Sequence, residues 1–261
     1  MRNRAKLFIH DFKAFLYDAM ARPGTGRIEL AKNIADALVK KNTAAEATLL
    51  QQFVRDRGIK YLLHFTPIYN LRSILRLGFV PRKFLDMPGI KESIRPLFPD
   101  LFRQDGQRDC FCLSISWPNY KMFFQKRKQM LTDWVVLRIN VETIIKHQCL
   151  FYKTNAASSV SRRLGPGRIE EMFYDDGIRG QLRIEEWYTT DPQAEVMSFS
   201  RISPQWINEI YVQKLTKEVN REFTHLGRQN LLKRDNSGNR IKVTEDKTFF
   251  GPRKDFQFWK K

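Results

Sequence analysis

Five short apolar runs limit what this chain can fold into: YLLHFT (61–66), FCLSIS (111–116), WVVLRI (134–139), AEVMSF (194–199) and EIYVQ (209–213). Each has the length and apolar content of a strand, and breakers or helical spacing separate them. A few such strands, with helices before and between them, predict an α+β domain built on a small sheet. One residue sits oddly in this pattern. Glu195 lies between Ala194 and Val196 in a run that reads as buried. Burying an unpaired carboxylate costs several kcal/mol, about what few strands tolerate, so this residue is expected to react rather than to support.

The helical pieces are legible too. Leu7, Phe8, Phe12, Phe15 and Leu16 recur at helical spacing, and Pro23, Gly24 and Gly26 then interrupt the chain. A second helical pattern covers about residues 28–39. A third opens at Thr43, with Glu46 three positions on as a capping box needs, and ends near Gly58. NLRSILRLG reads as a short helix with Leu71, Ile74 and Leu75 on one face and Gly78 as its stop. Pro118 opens another that runs to about Met130. Residues 81–109, with four prolines, read as an irregular connection, and 151–192 as a long glycine-bearing loop of the kind that usually carries function. Alternation in RIKV and DFQFW predicts a closing hairpin.

Charge is the strongest compositional signal. Forty-six Lys and Arg against 28 Asp and Glu leave +18 on 261 residues. That exceeds what solubility requires and points to a polyanionic partner, nucleic acid ahead of an anionic membrane. No apolar run approaches the roughly 18 residues that span a bilayer, and acidic residues break up the N-terminal stretch that would otherwise resemble a leader. Three cysteines, with Cys110 and Cys112 at strand spacing, predict reduced thiols in a cytoplasmic protein. Four scattered histidines predict no metal site.

A lone histidine in an apolar strand, such as His64, is most often a hydrogen-bonded core residue. A buried carboxylate such as Glu195 is, in its bland reading, one half of a salt bridge. The set they belong to is more specific. HFTPIYNLRSILRLGFVPR, NYKMF, KTNAAS, DPQAEV and FFGPRKDFQFW, in that order between about Ile59 and Trp259, resemble the DarT-type nucleic-acid ADP-ribosyltransferase toxins. The resemblance implies an ADP-ribosyltransferase-like split β-sheet core over residues 59–261; the helical N-terminal extension at 1–58 is read from apolar spacing, and its part before about residue 43 is an addition that the resemblance does not explain. It implies NAD+ as co-substrate and Glu195 as the catalytic glutamate. His64, Phe65 and Thr66 would form the element at the nicotinamide end. Asn70, Ser73 and Arg82 would serve the pyrophosphate, and Tyr120 and Met122 the NAD+ or base pocket. Arg183, Trp187 and Tyr188, in the loop before the catalytic strand, would hold the acceptor, since aromatics stack on unpaired bases and arginine holds phosphate.

One position departs from the family. Where the thymine-modifying branch has Arg-Ser-Pro-Met, this chain has Asn119 first and Met122 last, which favours guanine over thymine as the acceptor. The expectation is therefore transfer of ADP-ribose to a base of single-stranded nucleic acid, DNA first and RNA open, by a toxin with a cognate antitoxin (a neutralising protein or an ADP-ribosyl-hydrolase). The rival readings are a catalytically idle nucleic-acid-binding module and a protein-modifying ADP-ribosyltransferase.

Overall fold

The structure, a computed structural model, describes residues 41–81, 84 and 110–259. The helices expected within 4–39, most of the 81–109 connection and Arg82 lie outside the described residues. The helix expected from Thr43 is α1, Ala44–Asp56. The Thr43 hydroxyl accepts from the Glu46 N–H while the Glu46 carboxylate accepts from the Thr43 N–H, so the capping box forms as spaced. Next come β1 (Tyr61–Pro67) and α2 (Leu71–Leu77), then β2 (Phe111–Ile115), α3 (Tyr120–Gln129) and β3 (Trp134–Asn140). They are followed by α4 (Glu142–Lys146), β4 (Cys149–Tyr152), α5 (Ser159–Leu164), α6 (Asp176–Leu182) and β5 (Glu195–Ser198). The last elements are β6 (Ile207–Val212), α7 (Lys217–Arg228) and β7 (Lys242–Glu245).

The described strands make one seven-stranded sheet in the order β4-β5-β2-β1-β3-β6-β7. All five strands foreseen in the sequence are present. Every neighbouring pair is antiparallel except β6 and β7. The closing hairpin is not found. Only Lys242 and Val243 of RIKV enter β7, which runs parallel to β6 because α7 intervenes as the crossover that a parallel pair requires. DFQFW lies in a 3₁₀ segment, Lys254–Trp259. The long loop at 151–192 is also more ordered than its glycines suggest. It begins inside β4, and α5, a 3₁₀ turn at Ile169–Phe173 and α6 occupy much of the rest. Ile169, Met172 and Phe173 anchor it in the core.

The sheet's pleat sorts the apolar side chains onto two faces. Leu62, Leu113, Ile115, Leu137, Ile139 and Val196 face a core completed by α1, α2 and α7. Leu63, Phe65, Trp134, Val136 and Tyr211 face Phe123 of α3 and Phe249–Phe250. Phe65 stacks on Phe123 at 4.5 Å between ring centroids, and fully burying a ring such as Phe123 contributes about 2–3 kcal/mol.

Gly78 ends α2 at φ +83°, and a Cβ there would meet the Ile202 carbonyl oxygen at 2.0 Å. Both backbone bonds between Phe79 and Ile202 form just beyond it, at 2.9 and 3.0 Å. Gly78→Ala is expected to cost about 2 kcal/mol or more, from the left-handed backbone and the clash together, seen as a lower urea midpoint at unchanged slope.

Candidate active site

β1 and β2 pair only near their far ends, Leu62 with Ile115 and Leu63 with Ser114. Beyond Leu63 the two strands part. β1 keeps its bonds to β3 through Pro67, and β2 keeps its bonds to β5 from Phe111 to Leu113. The sheet is therefore split along one seam, and His64 stands at the point of parting. Its Nδ1 lies 2.9 Å from the Cys112 carbonyl oxygen, where a ladder bond would otherwise be. A carbonyl only accepts, so Nδ1 carries the proton and Nε2 keeps a lone pair. Burial holds the imidazole down to about pKa 4, against the opposing pull of that carbonyl. His64 is therefore neutral near pH 7.

This shift has a consequence for stability. An unfolded histidine titrates near 6.5, so between about pH 6.5 and 4 the unfolded chain binds more protons than the folded one. The contribution from a neutral His64 is complete above 6.5 and is lost as pH falls toward 4. Burial lowers the pKa of His147 as well, so it acts in the same direction. Urea unfolding across pH 4–7 is expected to show falling stability toward acid, with a shallower slope in His64→Gln.

Glu195 opens β5 and is 2 % exposed. Asn119 Nδ2 donates to Oε1 at 3.0 Å, and the Ala156 N–H donates to Oε2 at 3.0 Å. Both donors are neutral. These two bonds, one at each oxygen, fix the orientation of the group. Asn119 is held in turn: it caps α3 by accepting from the Met122 N–H at 3.2 Å, and its own N–H donates to Ser114 Oγ at 3.1 Å. Ala156 lies in the KTNAAS segment, where Asn155 folds the turn by accepting from the Ala157 N–H.

The pleat places His64 and Thr66 on the face of Leu62 and Leu137, and Glu195 on the opposite face from Val196. Cys112, whose carbonyl binds His64, stands opposite Met197, two residues from Glu195 on the neighbouring strand. Thr66 is buried, and its hydroxyl accepts from Asn70 Nδ2 at 2.9 Å. Ser73 is half-buried on α2. Tyr120 packs against Phe124 and edge-on to Phe256, and Met122 is half-buried beside it.

The segment leading to Glu195 is gripped by two arginines that sequence reasoning passed over. Arg179 of α6 donates to the carbonyls of Tyr188 (2.8 Å) and Glu185 (3.1 Å) and to the Thr190 hydroxyl (3.2 Å). Arg253 donates to the carbonyls of Thr189 (2.7 Å) and Thr190 (3.0 Å) and, through two parallel bonds of 2.6 Å, to Asp255. Arg253 is 3 % exposed, and its guanidinium also lies over the Tyr188 ring. The signal that marks it is the Arg-x-Asp spacing in FFGPRKDFQFW, which fits a bidentate pair. Next to this clamp, Trp187 is 39 % exposed and meets Tyr188 edge-on, and Tyr188 meets Trp117 in the same way. Arg183 is exposed at the left-handed C-cap of α6. The segment that leads into Glu195 thus carries an aromatic ledge, with the Arg253 guanidinium over one of its rings. Of the other carboxylates there, Glu186 pairs with Arg57 in the open and Glu185 is exposed. Asp191 is buried, and that burial raises its pKa.

Among the described residues, no cluster of three His, Cys, Asp or Glu is placed to hold a metal, and no helix is long and apolar enough to cross a membrane. The three cysteines are free thiols, and burial pushes that of Cys149 up to about 12.

No curated protein matches the sequence. Among solved structures, the chain is similar to Thermosipho africanus DarTG in complex with ADP-ribose, at 18% identity over 73% of this chain and 51% of that one, with a TM-score of 0.45. It thus spans about half the length of that relative. It is also similar to Thermus sp. 2.9 DarT in complex with NAD+, at 16% identity over 71% of this chain and 96% of that one, TM-score 0.43. For the same protein in complex with ADP-ribosylated ssDNA the figures are 15%, 72%, 96% and 0.45. The sequence model of the family described as "ssDNA thymidine ADP-ribosyltransferase, DarT" matches residues 63–239, more than half of the chain and including His64, Asn119, Glu195 and the strands of the split. On that match, the chain belongs to the DarT family.

Proposed function

We propose that this protein transfers ADP-ribose from NAD+ to a base of single-stranded DNA, with Glu195 as the catalytic carboxylate. The observation that carries the reading is a buried carboxylate on β5, the strand that pairs with one side of the split, with each of its oxygens oriented by an N–H donor. In the reaction, the glycosidic bond between ribose C1′ and the nicotinamide nitrogen breaks, and its electron pair leaves with nicotinamide. Positive charge develops on the ribose, where a fixed carboxylate stabilises it through the 2′-hydroxyl and the local field. A base nitrogen or oxygen then bonds to C1′, and Glu195 takes the proton it sheds. The neutral Nε2 of His64 accepts from a ribose hydroxyl, and Thr66, Asn70, Ser73 and Arg82 complete the NAD+ contacts on that side, with Phe65, Tyr120 and Met122 serving the pocket from the α3 side. Arg183, Trp187 and Tyr188 receive the strand. A base inside a duplex hides its reactive edge, which makes a single strand the simpler substrate.

The acceptor we favour is guanine. The family's description names thymidine, but here a neutral amide, Asn119, stands where the thymine-modifying branch has arginine, and it is engaged with Glu195 and the turn at Met122. A modified template base would harm the cell that makes the enzyme. A neutralising partner therefore belongs to this reading, as does a division into an N-terminal extension (1–58) and a catalytic domain (59–261). The test is nucleoside mass spectrometry after incubation with NAD+ and oligonucleotides that carry one guanine or one thymine, each as DNA and as RNA. An ADP-ribosyl adduct on deoxyguanosine is the expected result. An adduct only on thymidine overturns the base, and label entering only protein overturns the substrate class.

A further inference from the structure

At the end of β5 remote from Glu195 lies a hollow of about 650 Å³. Strand rise alone separates the two ends of β5 by about 10 Å, and Arg201 lies three residues beyond. Six cationic side chains line this hollow: Lys41, Arg76, Lys146, Arg201, Lys233 and Arg234. No carboxylate is among its described lining residues. They come from five places in the chain: the lead into α1, the end of α2, the end of α4, the segment after β5 and the segment after α7.

Like charges converge on one cavity only at an electrostatic cost, and the cost is visible in the groups themselves. Burial first, and then Lys146, Lys41 and Arg201 together, depress the pKa of His147 and outweigh the opposing pull of the Thr143 carbonyl that its Nδ1 bonds. Several of these cations have local partners. Lys146 pairs with Glu142 at 2.6 Å, both half exposed, Arg76 donates to Gln229, and the buried Arg201 donates through Nε to the Leu77 carbonyl at 2.7 Å. The wall of the hollow is of another kind. Trp206 stands edge-on to His147, with Lys146 Nζ 5.0 Å from its ring centroid and apolar Leu75, Leu231 and Ile241 nearby. Cations around an aromatic, apolar wall suit a phosphodiester carrying an unpaired base better than a bare anion.

We propose that this hollow is a second single-stranded DNA site, which holds backbone phosphates and a base of the strand outside the reaction cleft. The inference rests on the reading of the protein as a DNA-modifying enzyme, but its test does not depend on catalysis. Three exposed cations of the hollow are neutralised together, Lys146→Gln, Lys233→Gln and Arg234→Gln. A control triple, Arg55→Gln, Lys60→Gln and Lys217→Gln, removes equal charge elsewhere. Fluorescence anisotropy with a 30-mer and a 6-mer of single-stranded DNA, from 50 to 300 mM salt, is read with each full-length variant on a Glu195→Gln background.

The hollow triple is expected to weaken 30-mer binding about tenfold or more at 0.1 M salt. It should also flatten the log–log salt slope by about 2, since each single-strand phosphate contact contributes roughly 0.7. Binding of the 6-mer should stay within about twofold of the parent, and the thermal midpoint should not move. Equal losses in the control triple, equal losses with the 6-mer, or no loss at all would each overturn the proposal. If the wild-type chain modifies no oligonucleotide while the hollow triple still loses the 30-mer, the functional reading falls and this site stands.

Discussion

Glu195→Gln is expected to reduce ADP-ribose transfer by about 10³-fold while NAD+ affinity stays within a few fold of wild type. The loss follows from chemistry the amide cannot supply. It carries no charge to oppose the developing oxocarbenium and cannot take the acceptor's proton, and effects of these kinds are each worth about 10²–10⁴ in rate. The structure adds a detail that makes the variant diagnostic. Both carboxylate oxygens accept from N–H donors, Asn119 Nδ2 and the Ala156 N–H. Glutamine has only one acceptor oxygen, so one of these donors must face an NH₂ group. A stability loss of about 1–2 kcal/mol should accompany the lost activity. Asn119→Ala removes one orienting bond and the cap of α3 and is expected to lower the transfer rate by a smaller factor, about 10–10². Single-turnover transfer to an oligonucleotide, with NAD+ binding measured by calorimetry, separates these outcomes. A Glu195→Gln protein that transfers at the wild-type rate would move the catalytic role to another residue.

The second large effect is expected far from that carboxylate in sequence. Arg253→Met should destabilise the protein by about 3–5 kcal/mol, because it strips the buried Asp255 of its guanidinium and the Thr189 and Thr190 carbonyls of their donors. Transfer should fall as well, since Thr189 and Thr190 lead directly into the turn before Glu195, in which Asp191 accepts from the Gln193 N–H. Arg253→Lys keeps the charge but not the fork that serves two carbonyls and a carboxylate together, and should lie between wild type and Arg253→Met. Urea unfolding and initial transfer rates are the measurements. If Arg253→Met unfolds at the wild-type midpoint, the clamp is not structural.

How much of this was legible in the sequence depends on what each residue contacts. The strands were legible because their apolar content is local: YLLHFT and WVVLRI need no partner to be recognised. The capping box at Thr43 and Glu46 is local in the same sense and formed as spaced. Gly78 was legible as a stop, but the reason it is irreplaceable is the Ile202 carbonyl, 124 residues away. The closing segment misled because RIKV and DFQFW alternate over too few residues to distinguish strand from 3₁₀ turn, and because parallel pairing depends on a crossover that alternation does not encode. In the site, Glu195 was conspicuous as a carboxylate out of place. Asn119 stands out in the sequence only by differing from the family pattern, because its bond to Glu195 spans 76 residues. Ala156 was invisible, since it contributes through its backbone, and Arg253 and Arg179 read as two more positive charges among many.

The clamp on Thr189 and Thr190 joins stretches of chain 63 and 64 residues apart. Such a connection closes late in folding and opens early in local unfolding, because it depends on the closing segment being docked rather than on the central ladder. A brief lifting of that segment would loosen the approach to Glu195 while β1 and β3 stayed paired. In amide hydrogen exchange, the backbone around Thr189 to Ala194 should therefore exchange together with residues near Arg253, well ahead of the strands beside it.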